Sequence, residues 1–323
     1  MESTNHSVGR IRRFYLRRIK KHISLLTLFL VWIAFCLIDN NYFSWTNFFN
    51  IGKQSAVLVV AGIGETLVIL AGSIDLSVGS LLGLSAVLTC GASGVLGPFS
   101  LLVGPVIGLV AGLISGVTFT KGKIPSFMVT LAMLTILRGI VLIYTRGKPI
   151  WIEDSILASI AEADVFSIPL IIIIAILIFG IMYLVDEHTP LGRQIRAIGG
   201  AEKVARLSGI KIERTYILIF AIAGALVGFA GVMQASRTAA GIATTGTGFE
   251  LDVIAAVVLG GTTLSGGIGG VVGTLIGALT MTSLSAGLNI VGITPYVQYV
   301  LKGLILMGAV LISIDRSKIS STK

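Results

Sequence analysis

The sequence predicts an all-α polytopic membrane protein of about ten transmembrane helices, some of them broken or half-length. Only 12% of its 323 residues are charged and 54% are hydrophobic, whereas about a quarter of a soluble domain is charged. The chain also contains 40 glycines, which suits membrane helices that pack closely through small residues. Apolar runs near the bilayer-spanning length of roughly 20 residues recur along the chain.

Residues 1–22 form a polar arm rich in arginine and lysine, which the positive-inside rule places in the cytoplasm. Residues 23–323 are then a single transmembrane domain. Its apolar segments are predicted near 23–38, 53–71, 78–96, 99–120, 126–145, 167–185, 215–235, 249–264, 268–291 and 296–314.

The polar loops agree with ten crossings and two cytoplasmic termini. Loop 186–214 is basic and falls on the cytoplasmic side of that count, whereas the outer loop 147–166 is acidic. Eight or nine crossings with one re-entrant segment would also satisfy the pattern. The net charge of +9 is clustered between apolar segments, so it indicates membrane topology and no nucleic-acid partner.

Residues that could carry chemistry are sparse. Cys36 and Cys90 are isolated in apolar runs, and the three histidines are scattered, so neither a disulfide nor a metal site is expected. No GxxxxGK[ST] phosphate loop is present, and no nucleophile lies beside a base. The chain is therefore predicted to be a non-enzyme that binds neither ATP nor another cofactor.

The segment 72–79, GSIDLSVG, interrupts two apolar runs and predicts a break between helices. A charge at membrane depth costs roughly 2.5–3.5 kcal/mol on insertion scales, so Asp75 is expected to have a function or a partner. Asp75 either caps the helix that follows or lines a transport path with Ser77 and Gly79. Glu65, inside the preceding run, either forms a buried hydrogen bond or serves the same path.

Two glycine patterns accompany the break. Residues 260–265, GGTTLS, repeat the pattern GSIDLS of 72–77, as expected for a transporter built from repeats whose broken helices meet; coincidence is the alternative. Small residues four apart predict close helix packing. These sets are Gly79/Gly83, Gly108/Gly112/Gly116, Gly224/Gly228 and Gly273/Gly277.

Loop 186–214 is the longest polar segment between apolar runs. Residues 201–208 predict a short helix with Glu202 early and Arg206 late, as the helix dipole favours. Such a projecting helix suits docking into another protein, and Ala205 is expected to supply a flat contact surface. A solvated basic loop is the alternative. The candidate docking residues are Gly200, Ala201, Glu202, Ala205, Arg206 and Gly209.

A second polar motif precedes the run near 249–264. Glu250 and Asp252 are expected to cap its N-terminus. Arg138 and Lys302 lie within apolar runs and either pair with a carboxylate such as Glu65 or extend to the membrane interface.

These motifs resemble the permease subunits of bacterial ribose/xylose/galactose-type ABC importers. The matching stretches include GETLVILAGSIDLSVGS at 64–80, GRQIRAIGGAEKVARLSGI at 192–210 and GTGFELDVIAAVVLGGTTLSGGIGG at 246–270. Within them, the segments IDLSVG and ELDVIAAVVLGGTTLSGG are the specific ones. The resemblance covers nearly the whole chain after residue 50. Glu65 and Gly72-Ser73 depart from the more usual Met or Gln and Gly-Gly, which affects the choice of solute more than the class.

The resemblance implies the ABC importer permease fold in a bacterial cytoplasmic (inner) membrane. It also implies a second copy of the chain, a cytoplasmic ATPase with two cassettes that binds the ATP, and an extracytoplasmic sugar-binding protein. The path would involve Glu65, Asp75, Ser77, Gly79, Glu250 and Asp252, and 192–210 would seat in the ATPase. Rival interpretations keep the machinery with a furanosyl signalling molecule, polyol or nucleoside as cargo, or make the chain a stand-alone ion-coupled transporter.

Overall fold

The computed structural model describes residues 24–313; the predicted arm 1–22 and the C-terminal tail lie outside them. Each of the ten predicted apolar segments contains a helix. These are α1 (Ser24–Ile38), α2 (Trp45–Leu70), α3 (Val78–Leu96), α4 (Val103–Gly122), α5 (Ser126–Thr145), α7 (Leu170–His188), α10 (Ile212–Thr238), α11 (Phe249–Leu259), α12 (Val271–Ile290) and α13 (Pro295–Ser313).

Six helical stretches in the described range are long and apolar enough to cross a membrane. One of them, Val78–Gly122, runs for 45 residues and contains both α3 and α4, which are joined by the 3₁₀ turn Gly97–Leu102. The chain is therefore an all-α polytopic membrane protein, and the count of about ten crossings stays a prediction.

Helix α10 lies at the centre of the bundle and packs against α2, α3 and α4. Its glycines mesh with those of α4: a Cβ on Gly108 would overlap the Gly224 carbonyl, and one on Gly228 would overlap the Gly104 carbonyl. The predicted glycine spacing thus marks a real contact in which two backbones touch.

Hydroxyl contacts join α2 to α12 in antiparallel fashion. Thr66 bonds to Thr274, and Ser55 bonds to Thr282. Helix α1 covers α12, where the indole Nε1 of Trp32 donates to the Oγ of Ser283 at 2.9 Å. These bonds satisfy polar groups that the contacts between α1, α2 and α12 bury.

Two short antiparallel ribbons occur that the sequence did not predict. Strand β1 (Ile150–Trp151) pairs with β4 (Ala240–Gly241), and β2 (Asp164–Val165) pairs with β3 (Ile168–Pro169). The helix α6 (Ser155–Glu162) lies between β1 and β2. The β1–β4 ribbon holds the segment after α10 against α3.

The loop after α7 contains two helices where the sequence predicted one. Helix α9 (Glu202–Leu207) corresponds to the predicted helix. Helix α8 (Pro190–Gly200) was missed, although Thr189 caps it and Pro190 occupies its first position, both standard start signals. Ile195 and Ile198 bury its inner face.

Candidate functional site

The predicted break after α2 is confirmed. Helix α2 ends at Leu70, and Gly72 adopts φ +84°, a left-handed conformation that glycine takes without steric cost. The amide of Ser73 donates to the Val68 carbonyl at 3.1 Å, and that of Gly72 donates to the Ile69 carbonyl at 2.9 Å. This is the Schellman pattern, which ends a helix while satisfying its last carbonyls.

Asp75 and Glu65 are neighbours at this break. The Oδ1 of Asp75 accepts from the Ser77 amide at 2.8 Å and from its hydroxyl at 2.6 Å, and the Oε1 of Glu65 accepts from the Asp75 amide at 3.2 Å. Glu65 is fully buried and Asp75 is 4% exposed. Asp75 therefore closes the turn that leads into α3, whose N-cap position is Ser77.

Glu65 was expected either to form a buried hydrogen bond or to serve the transport path, and its contacts show the hydrogen bond. One carboxylate oxygen supports the Asp75 backbone, and Oε2 has no hydrogen-bond partner among the described residues. Neither Arg138 nor Lys302 pairs with it, contrary to one sequence-based expectation: Arg138 donates to the Ala243 and Thr245 carbonyls.

The second break repeats the first. Helix α11 ends at Leu259, and Gly261 adopts φ +88°. The Thr262 amide donates to the Val257 carbonyl at 3.2 Å, and the Gly261 amide donates to the Val258 carbonyl at 2.8 Å. The sequence echo between 72–77 and 260–265 therefore corresponds to one helix-ending geometry used twice.

Glu250 and Asp252 lie in the first turn of α11 but do not cap it, because the N-cap position is Gly248 and makes no side-chain bond. Instead, Asp252 pairs with Lys302 on α13 at 2.8 Å. The Glu250 carboxylate lies directly against Gly79, where a Cβ would overlap it. The two polar motifs thus touch each other, because Gly79 has no side chain.

A polar cavity of about 310 Å³ opens beside this contact. Its volume is at the lower end of the usual ligand-pocket range of about 300–1,000 Å³. The polar and ionic side chains that line it are Gln54, Gln234, Arg237, Thr244, Thr247, Asp252, Thr282, Ser285, Gln298, Tyr299 and Lys302.

The cavity only partly matches the predicted path residues. Of these, Asp252 lines it, whereas Glu65, Asp75, Ser77, Gly79 and Glu250 are not among its lining residues. Sequence reasoning overlooked the amides Gln54, Gln234 and Gln298. Each is an uncharged polar residue in an apolar run, a signal that a search restricted to charges passes over.

The predicted docking helix has a different exposed face from the one expected. Ala205 is 3% exposed and packs within its own chain, so the expectation that it forms an outer contact surface is wrong. Val204 and Leu207 are 62% and 89% exposed instead. Glu202 pairs with Arg206 at 2.9 Å, and Gly209 follows the end of the helix at φ +83°.

Comparison with known proteins decides the family. A family model described as "Branched-chain amino acid transport system / permease component" matches residues 47–310. The chain belongs to this permease family. The permease is 39% identical to the ribose import permease protein of Haemophilus influenzae over 316 residues, covering 96% of each chain.

Other relatives extend this similarity. The permease is 41% identical to the ribose import permease protein of Bacillus subtilis, over 91% of its own chain and 92% of the relative. It is 32% identical to the L-arabinose transport system permease protein of Escherichia coli, over 99% and 98%. The monosaccharide-importer resemblance of the motifs is therefore confirmed. No solved structure matches the permease.

Proposed function

We propose that this permease is the transmembrane subunit of an ATP-driven importer and forms the path for a monosaccharide, a ribose-like pentose or a hexose. The supporting observation is that the polar cavity lies beside the contact between Gly79, at the start of α3, and Glu250, at the start of α11, in a chain similar over nearly its full length to ribose and arabinose permeases. The Gly79–Glu250 contact brings the predicted path motifs to the cavity rim.

The lining of the cavity suits a polyhydroxylated solute. A sugar entering it gives up hydrogen bonds to water and needs replacement partners, because an unpaired buried polar group costs about 1–3 kcal/mol. Amides such as Gln54 and Gln298 offer both donors and acceptors, and the Asp252–Lys302 pair adds charge-assisted ones. We infer that these side chains exchange their present partners for sugar hydroxyls during passage.

The proposed assembly contains two copies of the permease, a cytoplasmic ATPase with two cassettes that binds the ATP, and an extracytoplasmic binding protein. Ten crossings with both termini in the cytoplasm follow from the basic character of 186–214 and the acidic outer loop. The membrane is the bacterial inner membrane. The ATPase docks on α9, where the exposed Val204 and Leu207 offer an apolar contact bordered by charged residues.

The test is reconstitution in proteoliposomes with the ATPase and the binding protein from the same operon or genome. Uptake of labelled ribose that needs ATP and both partners is the expected result. Screening of arabinose, xylose, a polyol and a nucleoside under the same conditions identifies the cargo. Uptake by the chain alone, driven by an ion gradient and indifferent to ATP, would contradict the proposal.

A further inference from the structure

Four glycines from three segments meet at one end of the helix bundle; we call them the glycine junction (Gly72, Gly199, Gly266 and Gly267). A Cβ on Gly199 would overlap the Leu70 carbonyl and lie 2.6 Å from the Gly267 nitrogen. A Cβ on Gly266 would lie 2.9 Å from both the Gly199 Cα and the Gly72 nitrogen. The contact is therefore made by backbone alone.

The junction connects both helix breaks to the loop after α7. The Gly267 amide, in the turn after α11, donates to the Leu70 carbonyl at 2.8 Å. That carbonyl belongs to the last turn of α2 and needs a partner beyond its own helix. Gly199, at the C-terminal end of α8, packs against both the Leu70 carbonyl and the Gly267 amide. One end of α8 thus touches the ends of both broken helices.

An ion pair fixes the same helix to α12. Arg196 on α8 approaches the Oδ1 of Asp186 at 2.9 Å and donates to the Asp186 carbonyl at 2.5 Å. The Oδ2 of Asp186 accepts from the amide of Val271, the first residue of α12, at 3.2 Å. The side chains of Asp186 and Arg196 are 1% and 14% exposed. Helix α8 is therefore attached to α7, α12 and both breaks.

We propose that α8 is a rigid link and that Gly199 and Arg196 are positioning residues, which carry movement of α9 to both helix breaks at once. This inference rests on the proposed docking of an ATPase at α9. Only Ala201 separates the two helices. Close-packed backbone contacts transmit displacement because they cannot be compressed, so movement of α8 shifts Leu70 and Gly267 together.

The chain itself offers matched variants. Gly199→Ala is compared with Gly180→Ala on the preceding helix α7, since a Cβ on Gly180 meets no atom within 4 Å. Arg196→Gln is compared with Arg214→Gln, which makes the same change at an exposed position of the same loop outside 192–210. Arg196→Lys replaces Arg196→Gln if the latter does not purify folded.

The first measurement is hydrogen exchange in the purified permease without any partner. Gly199→Ala and the Arg196 variant are expected to raise exchange at the Gly267 amide and across 72–77 about tenfold, while both controls match wild type. Faster exchange confined to 186–200 would overturn the inference. This measurement does not involve the ATPase, so it tests the link through α8 even if the proposed function is wrong.

The second measurement uses the complete importer in proteoliposomes. Both test variants are expected to retain the ATPase at wild-type stoichiometry while sugar uptake per ATP hydrolysed falls at least tenfold; the controls keep the wild-type ratio. An unchanged ratio in the test variants would overturn the inference. If wild-type permease neither retains an ATPase nor takes up sugar with ATP, the proposed function fails instead.

Discussion

At the scale of single residues, the buried carboxylates are held by local backbone contacts. Asp75 satisfies the Ser77 amide and hydroxyl, and Glu65 in turn supports the Asp75 amide. The sequence predicted that this Asp would have a partner, but its nearest partners are its own turn and one neighbouring carboxylate. These contacts hold the backbone at the break, and neither carboxylate lines the cavity.

Two substitutions of Asp75 distinguish the effect of its hydrogen bonds from the effect of its charge. Asp75→Asn keeps an oxygen for the Ser77 amide, whereas Asp75→Ala leaves that buried amide unpaired, at a cost of about 1–3 kcal/mol. We expect Asp75→Ala to lower the melting temperature in detergent by several degrees and to abolish uptake, and Asp75→Asn to melt near wild type. Equal melting temperatures for wild type and Asp75→Ala would contradict this role.

The Asp252–Lys302 pair is expected to matter more than an exposed pair. Its side chains are 25% and 19% exposed, whereas those of Lys121 and Glu213 are 67% and 49% exposed. Lys302→Gln leaves Asp252 partly buried and without its charge partner, which costs about 1–3 kcal/mol. Lys121→Gln costs under about 1 kcal/mol because water already screens that pair. Thermal melting of both variants checks the difference, and equal losses would be the contrary result.

At the scale of elements, glycine spacing was the most reliable predictor of packing. The glycines of α4 and α10 interlock, and the two backbones are in contact.

Helix α8 and the two ribbons were missed for different reasons. The signals for α8 were present at Thr189 and Pro190, but the polar composition of the loop suggested solvent exposure. The two-residue strands have too few residues to show any alternation.

The α4–α10 contact predicts a position-dependent cost of one substitution. Gly108→Leu places a side chain against the Gly224 carbonyl and is expected to destabilise the permease by about 1–3 kcal/mol. At Gly139 in α5 a Cβ would meet no atom within 4 Å, so Gly139→Leu is expected to be tolerated and to gain up to about 1 kcal/mol in helix propensity. Melting curves of both variants provide the check. Comparable stability of the two would show that the glycines are not needed for packing.

At the scale of the whole molecule, the charge of the loops predicts a topology that two exposed residues can test. The leucine at 207 and the phenylalanine at 166 are 89% and 95% exposed, and they belong to the predicted inner and outer sides. Their exposure makes both suitable for chemical labelling.

In a background with Cys36 and Cys90 replaced by Ser, an impermeant maleimide should label Phe166→Cys in intact spheroplasts. It should label Leu207→Cys only after the membrane is opened, because the basic loop is retained in the cytoplasm. Labelling of both positions from outside, or of Leu207→Cys alone, would refute the ten-crossing topology.

The sequence alone determined the class of the protein, the helical segments, the position of the break at 72–79 and the family resemblance. These properties are local: hydrophobic length, glycine and charge placement can be recognised without neighbours. The tertiary structure decided which groups meet. It paired Asp252 with Lys302, placed Glu250 against Gly79, buried Ala205 and gathered four glycines at α8. Contacts between residues far apart in the chain depend on which helices face each other, and glycine spacing marks a close-packing face without identifying the helix that packs on it.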